Sequence, residues 1–241
     1  MVFSGITSGV TATAPSVTGL YVGTSGFSFG TWKGGFYPDD ARPADFLRLY
    51  AERLPSVELN NTFYRLPAEG TFRRWAEATP HSFRFAVKMT MSITHWGRLD
   101  EVGTFCERVR VLGNRLGPIL VRLHDNRPRD DGFLRLLMGS VEPWTRLAFD
   151  LRDPSWDGVE PMLTEGGAVR VNALDADAPF SYLRLREPPY DDASLTAWAE
   201  RVAPLLAAGR DVYCYFKHED EPTAPAYARR FLETCHRIRS C

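Results

Sequence analysis

The apolar pattern of this 241-residue chain changes eight times from strand-like to helix-like, and this alternation is what most narrows the folds open to it. Strand-like stretches fall at Tyr21–Ser25, Ser56–Asn60, Phe83–Lys88, Pro118–Leu123, Arg146–Leu151, Ala168–Ala173, Phe180–Leu185 and Asp211–Lys217. Helical stretches follow at Pro43–Leu54, Ala68–Ala78, Val102–Leu112, Asp130–Met138, Val159–Glu165, Asp192–Ala208 and Thr223–Arg237. The connection Leu174 to Pro179 is too short for a sixth full helix. Strands that alternate with helices form parallel sheets covered by those helices. Eight such units predict one α/β domain, a TIM-like (β/α)8 barrel with helix 6 short or missing, spanning 20–241. A doubly wound open sheet is the alternative. Residues 1–19 are rich in Ser, Thr, Gly and Ala, hold no Lys or Arg, and read as a flexible tail rather than a secretory signal.

The strands carry more polar residues than a doubly covered parallel sheet needs. Val57 and Leu59 oppose Glu58 and Asn60; Phe85 and Val87 oppose Ala86 and Lys88; Ile119, Val121 and Leu123 oppose Arg122 and His124. Leu147, Phe149 and Leu151 oppose Asp150 and Arg152, Leu183 and Leu185 oppose Tyr182, Arg184 and Arg186, and Val212, Cys214 and Phe216 oppose Tyr213, Tyr215 and Lys217. Successive strand residues point to opposite faces, so the apolar set is expected against the helices and the polar set on the barrel axis. Its charged members sit toward the C-terminal strand ends, where barrel active sites are built. Cations outnumber carboxylates in this set, so the interior favours an anion. A self-contained salt-bridge network is the other reading of the same charges.

Composition removes several function classes. The formal net charge is −1, so no global basic field draws nucleic acid, and anion binding must be local. Cys106, Cys214, Cys235 and Cys241 form no CxxC pair and are expected as reduced thiols of a cytoplasmic protein. No apolar run is long enough to span a bilayer, so no membrane association is expected.

Several ordered blocks resemble one family. Gly23-Thr-Ser-Gly26 with Trp32 and Phe36-Tyr-Pro38, then Val57-Glu-Leu-Asn-Asn-Thr-Phe-Tyr64, are similar to the opening blocks of the YecE-like family (domain of unknown function 72). So are Phe83-Arg-Phe-Ala-Val-Lys88 with Ile93-Thr-His95, Leu116-Gly-Pro118, Arg152-Asp-Pro-Ser-Trp156 and Val212-Tyr-Cys-Tyr-Phe216. The resemblance implies a TIM-like barrel and supplies no activity; its likeness to endonuclease IV-like enzymes is one of architecture alone. The chain departs from the family at Asp150, where Glu is common, and after its fourth, seventh and eighth strands, at Arg122-Leu-His-Asp125, Arg186-Glu-Pro-Pro189 and Lys217-His-Glu-Asp220.

Four chemistries compete for these residues. A divalent-metal phosphodiesterase would draw ligands from Glu58, His95, His124, Asp150, Asp175, His218 and Glu219, although no ligand spacing marks them. A metal-free phosphate site would use Arg122, Arg152, Arg184, Lys88 and Lys217, with backbone amides at Ser25-Gly26 as a possible nest. A glycosidase would need Glu58 and Asp150 as its carboxyl pair. Ser25 as a nucleophile lacks an evident His–Asp relay. Trp32, Phe36, Tyr37, Phe63, Tyr64 and Trp96 cluster after the first three strands, where they would stack bases or sugars or close over one another as a lid; Trp75, Trp144 and Trp198 read as helix or core residues. The leading expectation is a phosphate-containing ligand, a nucleotide or nucleic acid, acted on by hydrolysis. Glu58 or Asp150 would be base or metal ligand, Lys88, Arg152 and Arg184 would neutralise charge, Asn60 would orient substrate, and Trp32, Tyr64 and His95 would line the site. A non-catalytic anion-binding module is the alternative.

Overall fold

The computed structural model describes residues 17–175, 177–217 and 222–239. Eight parallel strands form two sheets. The five-stranded sheet runs in the order β2 (Ser56–Leu59), β3 (Arg84–Lys88), β4 (Leu116–Arg122), β5 (Leu147–Asp150) and β6 (Val169–Arg170). The three-stranded sheet places β8 (Val212–Phe216) between β1 (Leu20–Thr24) and β7 (Ser181–Leu185). Helices α1 (Phe46–Ala51), α2 (Glu69–Glu77), α3 (Met91–Thr94), α4 (Val102–Arg110), α5 (Asp131–Ser140), α6 (Glu160–Glu165), α7 (Asp192–Ala207) and α8 (Thr223–Arg239) connect them or follow the last. Among the described residues no helix joins β6 to β7. Caps begin the longer helices where the sequence supplies them: Asp130 accepts the Phe133 amide at 2.9 Å and Asp191 accepts that of Ser194 at 2.8 Å.

The period-2 alternation is realised as two apolar layers. Val57, Val87, Val121, Phe149, Leu183 and Cys214 belong to the large cluster between strands and helices. Ala86, Leu120, Ala148, Tyr182, Tyr213 and Tyr215, from both sheets, form a second cluster on the opposite strand faces. The interior is therefore shared by the two sheets.

The closed barrel ladder expected from the sequence is not formed. Among the described residues no strand pairing joins β1 to β2 or β6 to β7. Hydrogen bonds outside the strand ladder bridge both seams instead. The Tyr50 hydroxyl accepts the Thr24 amide at 2.8 Å and donates to the Ser56 carbonyl at 3.0 Å. This places β1 so close to β2 that a Cβ on Gly23 would lie 1.9 Å from that carbonyl oxygen, so only glycine fits. At the other seam Asn172, at φ 65°, acts as a surrogate strand. Its amide donates to the Tyr182 carbonyl at 2.9 Å, and its side-chain oxygen accepts the Arg184 amide at 2.7 Å. Asparagine tolerates that left-handed backbone better than most residues.

Residues 1–16 of the expected tail lie outside the described residues. Val17 is buried and accepts a hydrogen bond from the Leu20 amide at 3.0 Å, so the packed fold begins before the expected boundary. No helix among the described residues is long and apolar enough to cross a membrane. Cys106, Cys214 and Cys235 are buried free thiols, and Cys241 lies outside the described residues.

Candidate functional site at the C-terminal strand ends

Arg184 organises the interior. It projects from β7 between Glu58 of β2 and Asp150 of β5. Its Nη2 donates to Glu58 Oε1 at 2.9 Å and its Nη1 to Asp150 Oδ2 at 2.7 Å. Glu58 is wholly buried and saturated: Asn60 Nδ2 also donates to Oε1 at 2.9 Å, and the Tyr182 hydroxyl donates to Oε2 at 2.8 Å. Burial alone would raise the Glu58 carboxyl, but the Arg184 charge and these hydrogen bonds outweigh it and hold the carboxyl below its ordinary range. Burial would likewise discharge Arg184, and the two carboxylates reverse that, keeping it a cation. Arg184 Nε is buried with no acceptor among the described residues.

Around this network lie further cations, from buried Lys88 to half-buried Arg122 and Arg186 and exposed Arg152. Arg122 is held by Asp125 at 2.8 Å, and Arg152 reaches Asp150 and Asp125 only at 3.5 Å each. Lys88 and Arg186 have no ion-pair partner among the described residues. Burial, then Arg184 and Arg122, depress both, bringing Lys88 to about 8. Lys88 rests its Nζ 3.5 Å above the Phe63 ring. His95 packs edge-on to the same ring, with centroids 5.1 Å apart, and lies 5.6 Å from the His124 ring. Burial, His124 and Lys88 push His95 below its ordinary value, so it is neutral near pH 7.

Two open spaces adjoin these cations. A cleft of about 830 Å³ runs past the ends of β5, β6 and β7, lined by Asp150, Arg152, Arg170, Asn172, Arg184 and Arg186. Arg170 is tied to Glu160 at 2.8 Å. A groove of about 210 Å³ lies between Tyr64 and Trp96, which are 79% and 67% exposed. A separate cleft, about 480 Å³, opens at the opposite strand ends beside Arg84, Arg110 and Arg146.

The structure thus gathers Glu58, Asn60, Lys88, Asp150, Arg152 and Arg184, with Arg122, His95 and His124 at the edge. Other expected site residues are placed elsewhere. Trp32 is wholly buried against Phe36 and Tyr37, so its faces are spent on packing and it offers a ligand no surface. The Ser25-Gly26 nest is closed, because Ser25 N–H donates to the Phe216 carbonyl at 2.9 Å and Gly26 N–H to that of Thr24 at 2.9 Å. Lys217, by contrast, follows β8 at the same strand ends, its amide bonded to the Leu185 carbonyl at 2.9 Å. Asp175 lies in the β6–β7 connection and accepts the Asp177 amide at 2.9 Å. His218 and Glu219 lie outside the described residues. Trp144, expected in a helix or the core, lies in a turn and is 40% exposed. No group of three or more His, Cys, Asp or Glu side chains among the described residues is placed to hold a metal ion.

Two positions of this network escape the sequence. Tyr182 as a Glu58 donor was signalled only by its parity with Arg184, two residues on along the same strand. Asn172 as the anchor of the Arg184 backbone had no signal beyond its residue type.

The sequence model of the family described as "Protein of unknown function DUF72" matches residues 21–240. A solved DUF72 family protein from Thermotoga maritima is 24% identical and superposes with a TM-score of 0.75, covering 90% of this chain and 99% of its own. One from Enterococcus faecalis is 17% identical, with a TM-score of 0.74 and coverage of 90% and 95%. These similarities carry the fold. No curated protein matches the chain.

Proposed function

The chain belongs to the DUF72 family, and from the geometry of its strand ends we propose that it binds a phosphate-containing ligand, a nucleotide or nucleic acid, there. The observation that carries this reading is the uneven charge balance. Both interior carboxylates are spent on Arg184, and Asp125 is spent on Arg122. Lys88 and Arg186 are left without counter-ions among the described residues, and Arg186 lines a cleft of about 830 Å³. Unpaired cations in a partly buried site are costly until an anion arrives, and guanidinium groups bind phosphate oxygens in pairs. Exposed Tyr64 and Trp96 supply faces for a base.

In this reading the two sheets are arcs of one TIM-like barrel, sealed at Tyr50 and Asn172, and the ligand occupies the C-terminal mouth. Binding is better supported than hydrolysis by Glu58 or Asp150, since both carboxylates are occupied by Arg184, which also helps hold Glu58 ionised. The same sharing opposes a glycosidase, which needs one of its two carboxyls protonated as general acid. A metal-dependent reaction draws no support from the placement of Glu58, His124 and Asp150.

Thermal shift of the full chain with nucleotides, sugar phosphates, short DNA and RNA, and divalent metals tests the proposal. At a hundred times Kd a ligand stabilises by about 2.7 kcal/mol, roughly 5–10 °C for a domain of this size. The expected result is a shift with a phosphate compound that Arg186→Ala or Arg152→Ala removes. A panel without any phosphate-dependent shift, or a shift untouched by both substitutions, would overturn it.

A further inference from the structure

We propose that Lys88 is a nucleophile that forms an imine with an aldehyde or ketone whose phosphate is held by the neighbouring arginines. This rests on the phosphate reading above and adds to it a covalent chemistry and a substrate class.

The first observation is residue choice. The chain holds three lysines, Lys33, Lys88 and Lys217, against twenty-six arginines. Every other cation at the C-terminal ends of the inner strand faces short of Lys217 is an arginine: Arg122, Arg152, Arg184 and Arg186. Arginine would serve a phosphate better, because its fork matches the oxygens and it never loses its charge. Lysine at 88 brings what arginine lacks, a primary amine that can shed its proton and attack carbon.

The second is the setting of that amine. Lys88 is 9% exposed at the C-terminal end of β3, and it has no ion-pair partner among the described residues. Glu58 and Asp150, the carboxylates near enough to act on it, are both claimed by Arg184. Burial and the Arg184 and Arg122 charges favour the free amine and outweigh the Glu58 and Asp150 charges, bringing it to about 8; the Phe63 ring face also favours the ammonium. At pH 7 about a tenth is then free amine, against about one part in three thousand for an ordinary lysine.

The third is a proton carrier with a fixed tautomer. The Thr94 hydroxyl donates to the Thr90 carbonyl at 3.0 Å, so its contact with His95 Nδ1 at 2.9 Å has the ring as donor. Nδ1 carries the proton and Nε2 the lone pair. His124 and Asp125 are the other titratable groups acting on this ring, with Lys88 and Arg122. His95 and Lys88 both pack on Phe63.

The step balances without a cofactor. The Nζ lone pair forms a bond to the carbonyl carbon as the carbonyl π pair moves to oxygen, which takes up a proton from solvent. The new ammonium gives a proton to His95 Nε2. His95 returns it as the C–O bond breaks, water leaves, and the nitrogen lone pair closes the C=N bond. An amine, a carbonyl and one solvent proton become a protonated imine and one water.

The test is reductive trapping of the full-length protein with cyanoborohydride and D-glyceraldehyde 3-phosphate, or unphosphorylated D-glyceraldehyde, followed by peptide mass mapping. Lys88 is expected to be labelled at least roughly tenfold faster than Lys33 and Lys217, allowing for the weaker nucleophilicity of a less basic amine. The phosphorylated probe should outpace the other, and inorganic phosphate should slow it. Lys88→Arg should abolish the fast label, and His95→Gln should slow labelling of Lys88 while leaving that of Lys33 and Lys217 unchanged. Fast labelling of Lys88 by both aldehydes alike, insensitive to phosphate, would keep the nucleophile and refute the phosphate site. Labelling of Lys88 no faster than that of the other two lysines, in protein that still shows the phosphate-dependent thermal shift, would overturn the imine proposal alone.

Discussion

Replacing Arg184 with methionine should be severe at neutral pH and should invert the acid response of the fold. The substitution keeps an unbranched side chain but removes the cation that serves Glu58 at 2.9 Å and Asp150 at 2.7 Å. Glu58 is wholly buried and would keep only Asn60 and Tyr182 as donors. Removing one partner of a buried ion pair costs about 3–5 kcal/mol, because a charge is left uncompensated. For a domain of this size that lowers Tm by roughly 6–20 °C. In the parent protein the Glu58 carboxyl lies below its unfolded value, so its contribution is present above the ordinary carboxylate range and is lost as pH falls through the lowered value. In Arg184→Met the burial contribution dominates and the carboxyl rises above its unfolded value. Stability then declines as pH climbs from about 4 toward the raised value. Urea unfolding followed by far-ultraviolet circular dichroism at pH 4.5, 6 and 7.5 reads both effects. The double substitution Glu58→Gln/Arg184→Met should recover part of the loss at pH 7.5. A loss below about 1 kcal/mol at pH 7.5, or a variant whose pH profile parallels that of the parent, would refute the view that Arg184 neutralises a buried acid.

Two further outcomes follow from the same geometry. Lys88→Met should raise stability at pH 7: the depression from 10.5 to about 8 corresponds to roughly 3 kcal/mol, of which the lost Phe63 contact takes back about 1–2 kcal/mol. Because Lys88 is depressed, the parent should gain on the variant as pH rises from 8 to 10.5 in chemical denaturation, and a constant difference across that window would contradict the assignment. Gly23→Ala should cost about 3 kcal/mol, since its Cβ would lie 1.9 Å from the Ser56 carbonyl oxygen; a change in Tm within error of zero would mean that β1 and β2 are not so closely apposed.

Much of the fold could be read from the residues because strand parity is a local property. Val57 against Glu58, Leu183 against Arg184 and Cys214 against Tyr215 each divided the outer from the inner layer correctly. Closure was not legible in this way. The seams depend on Tyr50 and Asn172 reaching across from neighbouring segments, and no periodicity records that. The site shows the same division. Parity placed Glu58, Lys88, Asp150 and Arg184 on one inner face, but the choice of Arg184 as common partner of both carboxylates is set by distances between β2, β5 and β7. The interior network weighed against a ligand site is therefore present at the centre, with unpaired cations beside it. Trp32 misled because an aromatic after a strand suits a ligand mouth and a local aromatic core equally well, and only burial separates them. The Ser25-Gly26 turn misled because its amides find partners at Phe216 and Thr24, one of them on another strand.

The most direct test of the central claim is the position of a phosphate mimic in a crystal of the full chain soaked in tungstate, located by anomalous scattering. The account predicts the strongest peak at the C-terminal strand ends, within hydrogen-bond reach of Arg186 or Arg152. A strongest peak at the opposite ends, beside Arg84, Arg110 and Arg146, or no peak in the cleft past β5, β6 and β7, would contradict it.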